Sequence, residues 1–178
     1  MPAAKGSKPT RAQYRTEFTT PSDRELVARR VFDAPRQLVW EVHTVPKHVQ
    51  RWLLGPDGWT MPICEMDVRP GGRWRYGWRN DAKGQQFEMT GVYREVKAPE
   101  RLVNTETWGA EWPETVNTTV FTEKGGKTTV TTTVLYASKE ARDGAIKTGM
   151  ESGWDRSYER LDDYLRTTDG GTVIGHAG

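Results

Sequence analysis

One cysteine, Cys64, stands among 178 residues. That excludes an internal disulfide and a cysteine metal cluster, and it suits a reducing compartment. With no basic neighbour, Cys64 reads as an inert, small apolar side chain. Long hydrophobic runs are also missing. No segment is apolar enough, for long enough, to span a membrane, and the opening MPAAKGSKPTRAQ lacks the apolar core of a secretion signal. Nor does charge of one sign dominate: 26 Lys and Arg against 24 Asp and Glu leave a net charge of +2. No broad basic field for nucleic acid follows from that balance. Arg73, Arg75 and Arg79 alternate with Trp74, Tyr76 and Trp78, so on a strand the arginines face away from the rings. Histidine is scarce as well. His43 and His48 are not at the i, i+4 spacing of a helical metal pair and read as surface or capping residues, and His176 falls in a tail. Glu65 and Asp67 read as outward-facing. Ser152 and Ser157 lack a paired base, so no nucleophile signature is present. These absences lead to an expectation of a soluble cytoplasmic protein with no cofactor, no metal, no nucleic-acid partner and no membrane insertion.

What the chain has in excess is tryptophan, eight of them. Glu25–Phe32 reads as a strand. Asp33-Ala34-Pro35 then starts a helix, with Pro35 in its first turn, that runs to about His43. Pro46 opens a second short helix through Leu53, which Gly55-Pro56-Asp57-Gly58 breaks. Six strands follow, at about Ile63–Val68, Arg73–Arg79, Gln86–Val96, Leu102–Trp108, Thr115–Glu123 and Thr128–Tyr136. Their connections are turn-rich: Arg69-Pro70-Gly71-Gly72, Asn80–Gly84, Lys97-Ala98-Pro99-Glu100 and Gly125-Gly126. Loops this short join antiparallel neighbours. From Ser138 to about Arg166 the pattern is one long helix with an apolar stripe of Met150, Trp154, Ser157, Tyr158, Leu161 and Leu165. It carries Gly144, Gly149 and Gly153, each at a cost of about 1 kcal/mol against alanine. Gly149 and Gly153 then share one helix face. Residues 1–22 read as a polar, mobile tail with a possible short strand at Tyr14–Thr19, residues 23–167 as one domain, and residues 168–178 as a disordered tail. The fold class is α+β: an amphipathic helix and an antiparallel sheet cover each other, with a wedge-shaped space between them.

Four stretches of the chain resemble a known family. They are RVFDAPRQLVWEVHTVPKHVQRWLLGPDGW, CEMDVRPGGRWRY, GVYREVKAPERLVNTETW and GMESGWDRSYERLDDYL, in the family's order over roughly residues 25–166. The chain resembles the heat-shock protein 90 ATPase-activator-homologue family of the START-like (SRPBCC) superfamily. The resemblance implies a helix-grip fold, a curved antiparallel sheet wrapped around a long C-terminal helix with an internal cavity. It also implies binding of apolar or amphipathic small molecules, the commonest role in the superfamily. The eukaryotic co-chaperone that names the family has a further N-terminal domain for which this chain has no space, so chaperone activation transfers weakly.

Alternation and helical spacing nominate a cavity lining. The sheet would supply Trp74, Tyr76, Trp78, Phe87, Met89, Tyr93 and Trp108, and the helix Gly149, Met150, Gly153 and Trp154. Trp40, Trp52 and Trp59 would lie near the mouth. A fully packed core would use leucine and alanine, whereas rings opposite glycines leave room for a hydrophobic or aromatic ligand. On that arrangement, leucine at position 153 would fill the space. Asn104 and Glu106 share a strand face with Leu102 and Trp108, and the pattern favours a wet cavity mouth for both. Turned inward, they would fix a ligand's polar end, and a desolvated Glu106 would be a weak acid–base candidate. Two other functions stay open: a co-chaperone-like interaction module working through its outer surface, and a cavity enzyme using Glu106. A homodimer is compatible with all three.

Overall fold

A computed structural model describes residues 14–167. The strands are β1 (Glu17–Thr19), β2 (Glu25–Phe32), β3 (Thr60–Met66), β4 (Arg73–Asn80), β5 (Gln85–Lys97), β6 (Arg101–Glu106), β7 (Thr115–Lys124) and β8 (Lys127–Leu135). The helices are α1 (Arg36–Thr44), α2 (Pro46–Trp52), α3 (Lys139–Lys147) and α4 (Met150–Leu165). Alternation in the sequence becomes alternation in burial. On β2, Leu26, Ala28, Arg30 and Phe32 are buried, and on β8 Thr128, Val130, Thr132 and Val134. The two strands pair in register from Glu25 opposite Leu135 to Phe32 opposite Thr128, so both inner rows face the same side.

All eight strands form one curved antiparallel sheet in the order β1-β2-β8-β7-β6-β5-β4-β3. From β3 to β8 it is a meander with short turns. Gly125 and Gly126 take φ of 59° and 75° in the β7–β8 turn, a left-handed pair that L-residues resist. β2 sits beside the last strand while β3 forms the far edge, so α1 and α2 cross the sheet between them. Register shifts between Thr60 and Ile63 on β3 and between Tyr93 and Glu95 on β5 bend the sheet. The core between sheet and helices joins Phe32, Trp52, Phe121, Tyr158, Leu161 and Leu165. The Phe32 ring meets Tyr158 edge-on at 5.1 Å between centroids. The opposite face is charged: Arg75 bonds Glu88 at 2.7 Å and lies 3.6 Å from Glu65.

Two expectations need correction. The helix expected over Ser138–Arg166 is two helices. Gly149, with φ of 81°, occupies the left-handed conformation between them, and its N–H bonds the Ile146 carbonyl at 3.1 Å. A left-handed residue ends a helix, and glycine adopts it without a Cβ clash. Gly149 therefore does not share a helix face with Gly153. Trp40 is not near a mouth: α1 buries it against Phe121, ring centroids 5.3 Å apart. The possible short strand within Tyr14–Thr19 is β1, where Glu17–Thr19 pairs with Val27–Arg29. Residues 1–13 of the expected N-terminal tail, and the expected tail at 168–178 with His176, lie outside the described residues.

Candidate functional site

Between the sheet and α4 is a cavity of about 450 Å³. β4 places Trp74, Tyr76 and Trp78 on its wall, because i, i+2 and i+4 on a strand share a face. β5 adds Phe87, Met89 and Tyr93. β6 and the residues just beyond it add Asn104, Glu106 and Trp108. From the α3–α4 junction and α4 come Gly149, Met150, Gly153 and Trp154. Trp52 and Trp59 border the same space. Phe87, Pro56 and Gly149 are exposed and mark where it opens.

Three of the lining indoles give their N–H groups to backbone carbonyls. Trp74 donates to the Thr105 carbonyl at 3.2 Å, Trp78 to Leu53 at 2.8 Å and Trp52 to Val42 at 2.9 Å. Buried indoles need such acceptors. Once these bonds are made, these three rings have no free donor to offer a ligand. Gly91 makes the Trp74 position possible, since a Cβ there would lie 2.5 Å from the Trp74 Nε1 and 1.9 Å from the Thr105 oxygen.

Glu106 lies inside, not at a wet mouth. Its Oε1 accepts from Trp108 Nε1 at 2.6 Å and its Oε2 from Asn117 Nδ2 at 3.0 Å. Burial raises its pKa, and these two hydrogen bonds oppose the rise. Asn104 turns its amide back to the Thr105 carbonyl at 3.1 Å. Burial likewise raises the hydroxyls of Tyr76, Tyr93 and Tyr158, so all three stay protonated. Cys64 is pushed up to about 11 by burial and remains a thiol.

The histidines correct the surface reading. His43 reaches the cavity wall from α1. Its Nδ1 donates to the Val39 carbonyl at 2.7 Å, which fixes the tautomer, and its Nε2 is buried with no hydrogen-bond partner. Desolvation lowers its pKa to about 4, so the ring is neutral near pH 7. His48 is buried too; its Nδ1 is hydrogen-bonded to the Tyr164 hydroxyl at 2.6 Å, tying α2 to α4. Sequence reasoning also missed Asn117, Thr119, Thr132, Ser157 and Tyr158 as lining residues. Sequence signals existed: Ser157 and Tyr158 lie on the apolar stripe of the last helix. His43 lies one helical turn after Val39 on the buried face of α1. Asn117 alternates with buried Thr115 and Phe121 on β7.

The glycine of α4 makes room for something other than expected. A Cβ on Gly153 would lie 3.2 Å from Pro56 Cδ and 3.7 Å from Gly55 Cα. The segment after α2 therefore rests on α4 like a strap. Gly55 N–H donates to Ser157 Oγ at 2.8 Å, and Arg160 donates to the Gly55 carbonyl at 2.6 Å. Asp57 Oδ1 accepts from Arg156 at 3.0 Å and from Arg160 at 2.9 Å. Leucine at position 153 should push Pro56 off the helix before it fills the cavity. The expected result for Gly153→Leu is exchange of the Gly55 amide hydrogen accelerated by about tenfold or more, a loss of about 1.4 kcal/mol of local stability. Unchanged exchange would mean that the strap does not depend on this contact.

No helix among the described residues is long and apolar enough to cross a membrane. The family model described as Activator of Hsp90 ATPase homolog 1-like protein matches residues 33–166. None of the curated proteins matches the chain. Among solved structures, a protein from Rhodobacter sphaeroides is 28% identical with a TM-score of 0.80, the match covering 86% of this chain and 99% of that one. A protein from Mycobacterium smegmatis is 23% identical with a TM-score of 0.77, over 87% and 99% of the two chains. One from Nitrosomonas europaea is 23% identical with a TM-score of 0.73, over 83% and 97%. The last two are alike in fold.

Proposed function

The chain belongs to the Activator of Hsp90 ATPase homolog 1-like family, and from that premise we propose that it binds a hydrophobic or aromatic small molecule between the sheet and α4. One observation carries the proposal: a cavity of about 450 Å³ whose wall is mostly aromatic and aliphatic, with few polar side chains and one anchored carboxyl group, Glu106. Ligand sites commonly measure about 300–1,000 Å³, mostly apolar, with few polar groups that fix orientation. The thirteen residues nominated from sequence, from Trp74 to Trp154, are the proposed contacts, and His43, Trp52 and Tyr158 join them. A cytoplasmic location is part of this proposal.

Catalysis by Glu106 is the weaker proposal. Both its oxygens already accept hydrogen bonds, and neither donor, an indole nor an amide, relays protons near neutral pH. An interaction module in the style of the family's name would use exposed apolar side chains. Phe87, Trp112 and Leu135 are the large ones among the described residues, and Phe87 stacks on Trp78 at the cavity opening.

Native mass spectrometry of the freshly purified protein, followed by denaturing extraction, tests the binding proposal. The expected result is a discrete extra mass, released on denaturation, and the same spectrum reads monomer or homodimer. A clean unliganded mass, together with no binding of added aromatic compounds, would overturn it.

A further inference from the structure

The polar groups around the cavity are unequal in kind. Most of the indole, amide and imidazole N–H groups are committed to the protein itself. The N–H groups of Trp52, Trp74 and Trp78 go to backbone carbonyls, and those of Trp108 and Asn117 to Glu106. The Asn104 amide goes to Thr105 and the His43 Nδ1–H to Val39. Thr119 and Thr132 bond one another at 3.1 Å. Acceptors remain. Each Glu106 oxygen takes one hydrogen bond and keeps a further lone pair. Neither lysine nor arginine lines the space among the described residues. A buried carboxyl group with no cation beside it needs a proton or a donor from elsewhere.

We propose that the ligand brings a hydrogen-bond donor, a hydroxyl or an ammonium group, to Glu106, and that the cavity rejects anions of the same apolar shape. The proposal rests on the binding function proposed above and names its ligand class. A hydroxyl would fill a spare lone pair of Glu106. An ammonium group would pair with the carboxylate while aromatic faces around it add cation–π attraction. A carboxylate ligand would lose its hydration, find no cation and lie against a like charge.

Isothermal titration calorimetry on the full chain at neutral pH, with four probes of one ring system, tests this. The probes are naphthol, naphthylmethylamine, naphthoate and methylnaphthalene. Naphthol or naphthylmethylamine is expected to bind about tenfold or more tighter than naphthoate and methylnaphthalene, a difference of about 1.4 kcal/mol. The amine leads if Glu106 is ionised in the complex, and naphthol leads if it is protonated. Glu106→Leu removes the acceptor and frees the Trp108 and Asn117 donors, so the order should turn in favour of naphthoate. Glu106→Gln keeps the shape and should lose the amine's advantage, which covers the case in which the leucine variant does not fold. Equal binding of naphthoate and naphthol to the unaltered protein, with methylnaphthalene also bound, overturns the proposal and leaves cavity binding standing. Failure of all four probes overturns cavity binding itself.

Discussion

Replacing Arg30 by methionine should lower the stability of the protein by about 3–5 kcal/mol, the range for breaking a buried ion pair from one side. Arg30 occupies an inner position of β2, between Ala28 and Phe32, where an apolar residue would be expected. It is 4% exposed. Its guanidinium bonds Asp162 on α4, and also Asp155 and Thr16, each at 3.1 Å. Asp162 is itself mostly buried, its side chain 13% exposed. Burial raises the pKa of its carboxyl, and the Arg30 guanidinium is the main force opposing that rise. Without Arg30 the carboxylate is left desolvated and unpaired, next to the sheet. Urea denaturation of Arg30→Met should show the midpoint shift. The double variant Arg30→Met, Asp162→Leu should recover most of the loss, because a well-packed apolar pair replaces a buried ion pair at little cost. A single variant within about 1 kcal/mol of the parent would show that α4 is held by packing alone. The position matters for the cavity because α4 carries part of its wall, and Arg30 is the charged tie between that helix and β2.

Acidification should cost the protein about 3 kcal/mol through His43 alone between pH 6.5 and pH 4. The sign follows from the lowered pKa. In the unfolded chain the imidazole takes a proton near pH 6.5, whereas in the folded protein burial delays that to about pH 4. Between those values the unfolded state binds more protons, so stability is full above pH 6.5 and falls as the pH drops toward 4. His48 is lowered as well and acts in the same direction. Glu106 and Asp162 are raised, so their contributions are lost as the pH rises through their shifted range, the opposite sign. The measurement that isolates His43 is therefore a difference. Urea midpoints across this pH range should be compared between the parent and His43→Asn, whose amide can replace the Nδ1 donor to Val39. The variant should be less stable at neutral pH and have a flatter acid limb. Parallel pH profiles would place His43 in water rather than in the core.

Much of the frame was legible because it is local. Period-two alternation located β2 and β4 through β8 to within a few residues, since a strand in a one-sided sheet must alternate. Gly125-Gly126 marked its hairpin because two successive left-handed residues exclude most other side chains. The break at Gly149 was not legible. A glycine at helical spacing reads the same whether it lies on a packed face or ends a helix, and only the backbone conformation separates the two. The role of Gly153 was misread for a related reason. Helical periodicity shows which face it lies on, but the neighbour on that face, Pro56, is brought there by the fold.

The polar groups of the cavity divide along the same line. Alternation put Asn104 and Glu106 on the face of Leu102, yet it left open whether that face was wet. The answer lay with Asn117 on the next strand and Trp108 beyond the strand end, which enclose the carboxyl and supply its two donors. His43 and Arg30 were assigned by residue type to the surface or to an ordinary strand. Both are interior, held by Val39 in one case and by Asp155 and Asp162 in the other. By itself, the sequence determined the strands, their antiparallel meander, which strands carry the aromatic rings and the family to which the chain belongs. These depend on periodicity, turn chemistry and residue size, which act over a few neighbouring residues. Only the tertiary structure decided which polar atoms are desolvated and which acceptors keep a free lone pair. Desolvation depends on what lies opposite a group in space, and here that is a strand or helix distant in the chain.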